Sequence, residues 1–240
     1  MTGWKFENTK DTPLSRTTGE AASRFETLAY ELHDFYGHWP CFVGAKNIGR
    51  FLSMYEVYQR TLGLAGHIAE VGVFRGAMTL FLAKLTLLYE PVALTQVHGF
   101  DLFDMEVERP EIATPYYVEP LARIRELIEV QGLQRYALLH QMDVVGGLNG
   151  FFAAHRHLHF KLVFLDAGAY DIVTTCIREF WPRLNNGGIM VFDQFNHEAA
   201  PEETLAVRDA LPPDAIIRTF PNGWMPTAYV VKGETLQHPR

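Results

Sequence analysis

From residue 67 onward the chain alternates short apolar runs with longer ones in which apolar residues recur at spacings of three and four. The runs HIAEVGV, TQVHGFD, YALLHQMD, KLVFLDA, GIMVFDQF, AIIRTF and TAYVVK read as strands. Between most of them lie AMTLFLAKLTLL, EPLARIRELIEVQG, a short GGLNGFFAAH, DIVTTCIREFWPRL and PEETLAVRDAL, which read as helices. In the short one, Leu148, Phe151 and Phe152 are expected to face a sheet. Such alternation predicts an α/β fold with a mostly parallel sheet covered on both faces. The last two strands are joined only by PNGWMP, too short for a right-handed crossover, so they are expected to pair antiparallel. The expected architecture is a seven-stranded sheet with a C-terminal antiparallel hairpin and an N-terminal helical extension.

Upstream of the first strand, residues 1–20 are polar and are expected to be flexible. Residues 21–64 predict two helices. In AASRFETLAYELHDFYGHW, Phe25, Leu28, Ala29 and Leu32 repeat at helical spacing. In VGAKNIGRFLSMYEVYQRTLGL, Ile48, Phe51, Leu52, Tyr55 and Tyr58 share a face, and Gly63 is the expected stop. The plain role for this extension is packing or an oligomer contact. The functional role is a cap over a ligand, with Arg50 available for a carboxylate. Residues 65–240 then form one domain, without repeats or linkers.

Composition narrows the class. In 240 residues, 48% are hydrophobic and 20% charged, enough for a sizeable core. A net charge of −7 argues against nucleic acid as partner. The two cysteines, Cys41 and Cys176, form neither a disulfide framework nor a zinc motif and suit a reducing compartment. The polar, acid-bearing N-terminal stretch reads as neither signal nor transit peptide, and Lys84 and Glu90 break the most apolar region. A cytoplasmic protein that does not enter membranes is expected.

Candidate chemistry gathers at the strand ends, where ligands bind in an open α/β sheet. The first strand runs into Glu70, Gly72 and Gly76 and then a helix. Glycine there permits special backbone angles and close approach of a ligand to the free N–H groups of the helix start. Glu70 stands where a dinucleotide fingerprint would have its first glycine. The second strand ends at Asp101, with Leu102 and Phe103 following. An acid at that point can accept from both ribose hydroxyls while its apolar neighbours sandwich an adenine. Asp143 follows the third strand, Asp166 and Asp171 the fourth, and Asp193, Gln194, His197 and Glu198 the fifth. For each Asp, the competing role is a helix N-cap. His155, His157 and His159 read as a solvated loop, and His197 as either a base or a loop residue capping the next helix. Tyr116, Tyr117, Phe195 and Trp224 are aromatics for stacking or for packing.

The acid–x–Gly–x₃–Gly turn of residues 70–76 resembles motif I of class I S-adenosylmethionine (SAM) methyltransferases, which implies a Rossmann-like fold. The blocks GAKNIGRFLSMYEVYQRTLGLAGHIAEVGVFRGA, GFDLFD, FLDAGAYDIVTTC and NNGGIMVFDQFNHEAAPEETLAVRDAL resemble, over residues 40–232, the sugar O-methyltransferases of the macrocin O-methyltransferase type. The resemblance implies SAM at Glu70, Gly72, Gly76, Asp101, Leu102 and Asp143. It implies a small-molecule acceptor, a sugar or glycoside hydroxyl, positioned by Asp166 and Asp193 directly or through Mg²⁺, with His197 as the base if no metal takes part. Two positions depart from the family pattern: Gly168 and Gln194 stand where further acids are common. Other readings are a nicotinamide-dependent oxidoreductase, a hydroxylase-like tailoring enzyme, or a non-catalytic SAM-binding protein. The extra N-terminal helices are compatible with a homo-oligomer.

Overall fold

The computed structural model describes residues 38–103, 106–107, 116–117, 121–198, 200–221 and 225–234. Residues 1–20 and the first predicted helix, 21–39, lie outside them except for His38 and Trp39, and Trp39 opens a 3-10 turn. The described helices are α1 (Ala45–Arg60), α2 (Ala77–Tyr89), α3 (Leu121–Val130), α4 (Val144–Ala154), α5 (Tyr170–Phe180) and α6 (Pro201–Ala210). The strands are β1 (His67–Val71), β2 (Val97–Asp101), β3 (Glu106–Val107), β4 (Tyr116–Tyr117), β5 (Ala137–Gln141), β6 (Phe160–Leu165), β7 (Leu184–Phe192), β8 (Arg218–Thr219) and β9 (Ala228–Val231).

All seven expected strands enter one sheet, in the order β5-β2-β1-β6-β7-β9-β8. The five from β5 to β7 run parallel, and β9 lies antiparallel to both β7 and β8. The run AIIRTF is reduced to the paired residues Arg218 and Thr219. The sequence pattern leaves the hairpin of β3 and β4 unassigned, because strands of two residues carry no periodicity. The chain leaves β1 toward β2 on one side and later returns to β6 on the other. The carboxyl ends of β1 and β6 therefore flank the switch point of this Rossmann-like sheet, the place where a ligand crevice is expected in open α/β sheets.

Each face of the sheet carries its own core. On one, Met54 and Val57 of α1, Leu82 and Ala83 of α2 and Ile124 of α3 pack against Ile68, Val97, Leu162 and Ile189. On the other, Leu148 and Phe152 of α4, Cys176, Ile177 and Phe180 of α5 and Val207 of α6 pack against Ala69, Phe100, Val163 and Met190. Phe151 is partly buried against this second core, so the expected face of α4 meets the sheet. On burial such side chains contribute roughly 1.5–3 kcal/mol each. Lys161 of β6 is fully buried and donates to both carboxylate oxygens of Glu90 at 2.6 Å. That pair fastens the central strand to the end of α2.

The face of α1 matches the expectation only in part: Tyr58 is fully buried and Phe51 and Tyr55 pack against the first core. The buried residues of α1 are Lys46, Gly49, Ser53, Met54, Val57 and Tyr58, and Leu52 is 53% exposed. Phe51 and Tyr55 are only partly buried. The buried stripe runs at spacings of three and four through polar residues, so an apolar count rotates the helix the wrong way. Arg50 lies on the edge of that stripe.

Three histidines stack along the β1–β2–β5 side of the sheet. His98 Nδ1 lies 3.0 Å from His140 Nε2, and His67 meets His98 edge-on. His98 Nε2 is buried without a hydrogen-bond partner. Burial, with His67 and His140 nearby, pushes the His98 pKa down to about 3, and burial brings His140 to about 4. His155 bonds the Phe151 carbonyl, while His157 and His159 are exposed. The unfolded chain protonates His98 near pH 6.5 but the folded one resists, so its support for folding is complete above that pH and is lost as pH falls toward 3. Between pH 7.5 and pH 5 the parent protein is expected to lose ~2 kcal/mol more stability than its His98→Gln variant. Urea denaturation of both at the two pH values checks this.

Candidate active site

The turn after β1 is built by two left-handed glycines. Gly72 has φ +89° and Gly76 φ +80°, a region that costs an L-residue strain. A Cβ at Gly72 would overlap the backbone carbonyl of Asp166, so β1 and β6 touch backbone to backbone at their carboxyl ends. A Cβ at Gly76 would lie 2.9 Å from Ile124 Cγ2, the end of a side chain on α3. Gly76 is also the N-cap of α2, so the helix opens directly onto the crevice.

Glu70 is turned inward beneath this turn, 2% exposed, and accepts from the Thr79 hydroxyl in α2. Burial pushes its carboxyl up to about 8; Thr79 and Arg50 oppose that shift, and Asp166 and Asp101 add to it. In this position Glu70 braces the glycine turn from below. Thr79, three residues into the helix, escaped the sequence reading; an acid-to-hydroxyl spacing of nine residues across a turn carries no recognisable signal.

Asp101 stands at the end of β2. Its two oxygens accept from the backbone N–H groups of Phe74 at 2.9 Å and Phe103 at 3.0 Å. Both donors have positive φ, 53° and 47°, a conformation uncommon for aromatic residues. Two strained residues aimed at one carboxylate fix its plane, and each oxygen keeps a lone pair for a further donor. Leu102 beside it is 41% exposed. Asp143 caps α4 by accepting from Val145 N at 3.0 Å, so the helix-cap role considered for it is present. Asp171 is in the first turn of α5, where Ala169 is the N-cap, and both Asp171 and Glu198 are exposed.

Asp166 and Asp193 end β6 and β7 side by side. The guanidinium of Arg50, reaching from α1, forks between them: one nitrogen donates to Asp166 Oδ2 at 2.7 Å and the other to Asp193 Oδ1. Phe164 lies under that guanidinium at 5.5 Å. Asp193 is 2% exposed; burial pushes its carboxyl up, Asp166 and Glu203 push the same way, and Arg50 opposes them. For Arg50, burial alone would lower the pKa, but Asp193 and Asp166 outweigh it and hold the charge on.

Glu203 was not among the residues singled out from the sequence. It sits two positions after the helix-initiating Pro201, fully buried, and accepts from Gln194 N at 2.7 Å. Burial raises its carboxyl to about 8, against the amides of Gln194, Gly168 and Phe195 and with the help of Asp166. His197 is 4% exposed within the turn between β7 and α6. Its backbone carbonyl accepts from Ala200 N, and Ala200, not His197, is the N-cap of α6. Phe195 packs against the second core. The side chains of Tyr116 and Tyr117, and all of Trp224, lie outside the described residues.

The donor set does not fit a divalent cation. A guanidinium already bridges the two carboxylates that would hold one. The two neighbouring positions supply Gly168, at φ +65°, and the amide of Gln194, whose Oε1 would lie 3.1 Å from a Cβ at Gly168. Among the described residues, no group of three or more His, Cys, Asp or Glu side chains is arranged to hold a metal.

The model of the family described as "Methyltransferase domain" matches residues 69–195, from β1 through the residues after β7. Among solved structures, the chain is similar to CalS11, described as a TDP-rhamnose 3'-O-methyltransferase of calicheamicin biosynthesis. The identity is 24%, over 94% of this chain and 97% of that one, with a TM-score of 0.78. It is also similar to the O-methyltransferase NovP, with 15% identity over 78% and 81% of the two chains and a TM-score of 0.61. At these identities the likeness establishes the fold. No curated protein matches the chain.

The glycine geometry gives an ordered expectation for stability. Gly72→Ala is expected to cost roughly 2–4 kcal/mol, because backbone must move and φ is unfavourable. Gly76→Ala is expected to cost about 1–2 kcal/mol, because the neighbouring Ile124 side chain can turn aside. Urea denaturation of the two variants measures the order.

Proposed function

The chain belongs to the methyltransferase domain family, and from that premise we propose that it is a SAM-dependent O-methyltransferase acting on a sugar hydroxyl, in a nucleotide-sugar or a glycoside. The observation that carries the reading is the contact of the glycine turn with the Asp166 backbone. In this reading the proposed cofactor end (Gly72, Gly76, Asp101) and the proposed acceptor end (Asp166, Asp193) meet at that contact. The fold shared with an enzyme described as a TDP-rhamnose 3'-O-methyltransferase supports the choice of a sugar.

When bound, SAM supplies an electrophilic methyl group, and the protein's part is alignment and proton management. Asp101, held by two backbone donors, is oriented to accept from both ribose hydroxyls. Exposed Leu102 offers an apolar surface for the adenine, and the second oxygen of Asp143 suits the adenine amino group. The N-terminus of α2, opened by Gly76, favours a carboxylate at the amino-acid end. Asp166, the more exposed of the carboxylate pair, orients the acceptor hydroxyl together with Asp193. His197 accepts the hydroxyl proton, work for which a neutral imidazole is suited. No step passes through Mg²⁺, because the donor set does not fit it.

Isothermal titration with SAM, followed by a screen of nucleotide-sugars and glycosides for S-adenosylhomocysteine formation, tests the proposal. The parent protein is expected to bind SAM. Asp101→Ala is expected to weaken that binding by roughly 10- to 100-fold, the worth of hydrogen bonds to a charged group. Asp193→Asn and His197→Gln are expected to retain SAM affinity and lose turnover. Equal losses of SAM affinity in the Asp101 and Asp193 variants would refute this division of the site. A protein stabilised by NADH and indifferent to SAM would return the oxidoreductase reading.

A further inference from the structure

We propose that Arg50 is the resident counter-cation of the acceptor end: its guanidinium takes the place between Asp166 and Asp193 that a divalent ion would need, and so keeps metal out. The proposal deepens the methyltransferase reading by assigning how its acceptor end is charge-balanced. Asp193 is 2% exposed, and a carboxylate so far from water needs a fixed positive partner. Arg50 provides one through two separate bonds, to Asp166 at 2.7 Å and to Asp193. A planar fork holding one carboxylate on each nitrogen sets both carboxylate planes, which a mobile ammonium cannot do.

Three further observations agree. The guanidinium rests on the Phe164 ring, a surface that suits a weakly hydrated cation. Arg50 comes from the middle of a sixteen-residue helix whose neighbours Ser53, Met54 and Val57 are buried, so its base is anchored. The positions flanking the carboxylate pair carry no charge: Gly168 is in a left-handed conformation and faces the amide of Gln194. A side chain at Gly168 would be strained and would crowd that amide, so the neutral pair and the guanidinium form one consistent arrangement.

Arg50 is thus a positioning residue, acting on the acceptor through Asp166 and Asp193. The test uses the full-length protein and Mn²⁺ as probe, read by electron paramagnetic resonance, with SAM titration on the same samples. The parent protein is expected to show no saturable Mn²⁺ binding at millimolar concentration. Arg50→Met is expected to gain one stoichiometric Mn²⁺ site, lost again when Asp193→Asn is added. Arg50→Lys is expected to exclude Mn²⁺ like the parent, since it keeps the charge; a purely structural role for Arg50 would not separate Lys from Met. Stoichiometric Mn²⁺ binding by the parent, abolished by Asp193→Asn, overturns the proposal. So does a folded Arg50→Met variant that gains no site. Should Arg50→Met fail to fold, the parent and its Asp193→Asn variant decide the question. Loss of SAM binding in the parent would count against the methyltransferase reading and leave the Mn²⁺ result standing on its own.

Discussion

The structure depends on the burial of negative charge at the carboxyl ends of its parallel strands. Glu70, Asp193 and Glu203 are each at most 2% exposed, with Asp166 beside them, and one guanidinium faces the group. Moving several carboxylates out of water costs far more than any single hydrogen bond returns, so the surroundings must share the work. Burial holds Glu70 and Glu203 near pKa 8, which favours their uncharged forms at neutral pH. Arg50 then balances the two carboxylates that stay closest to it. Much of the local sequence follows from this: the Thr79 hydroxyl under Glu70, the Gln194 amide on Glu203, and a helix placed ahead of the sheet to carry an arginine.

The two proposed ends of the site are also joined by direct contact. The turn at Gly72 lies against the Asp166 carbonyl, and Asp166 lies against Arg50. A displacement at either end is carried to the other through backbone and a two-pronged ion pair, with few soft torsions between. For a transfer reaction in which a donor and an acceptor atom must meet in line, stiffness of this kind is an advantage.

How much of this the sequence reveals depends on the range of the interaction. The seven strands were legible, because apolar runs are local signals, and the antiparallel β8–β9 pair followed from the length of PNGWMP; the order of the parallel strands was not, because it is fixed by long-range crossovers. Strand-end acids were legible because they too are local signals. The orientation of α1 was legible only in part, since its buried stripe contains Lys46, Gly49 and Ser53 with Arg50 at its edge, and such residues on an inward face mislead an apolar count. Arg50 could be named as a partner for a carboxylate, but that two carboxylates 116 and 143 positions later would share it is a fact of tertiary contact. Glu203 was missed because an acid in the first turn of a helix ordinarily faces solvent and the helix dipole, whereas here it points into the core.

The span of the Arg50–Asp193 bond has a consequence for synthesis. Arg50 leaves the ribosome 143 residues ahead of the carboxylate it will bind, and until β7 has been made its charge has no full complement. The residues of the proposed SAM end, from Glu70 to Asp143, all precede Asp166 and Asp193 in the chain. A product truncated before β7 would lack Asp193 and three of the seven strands of the sheet, and with them part of both cores.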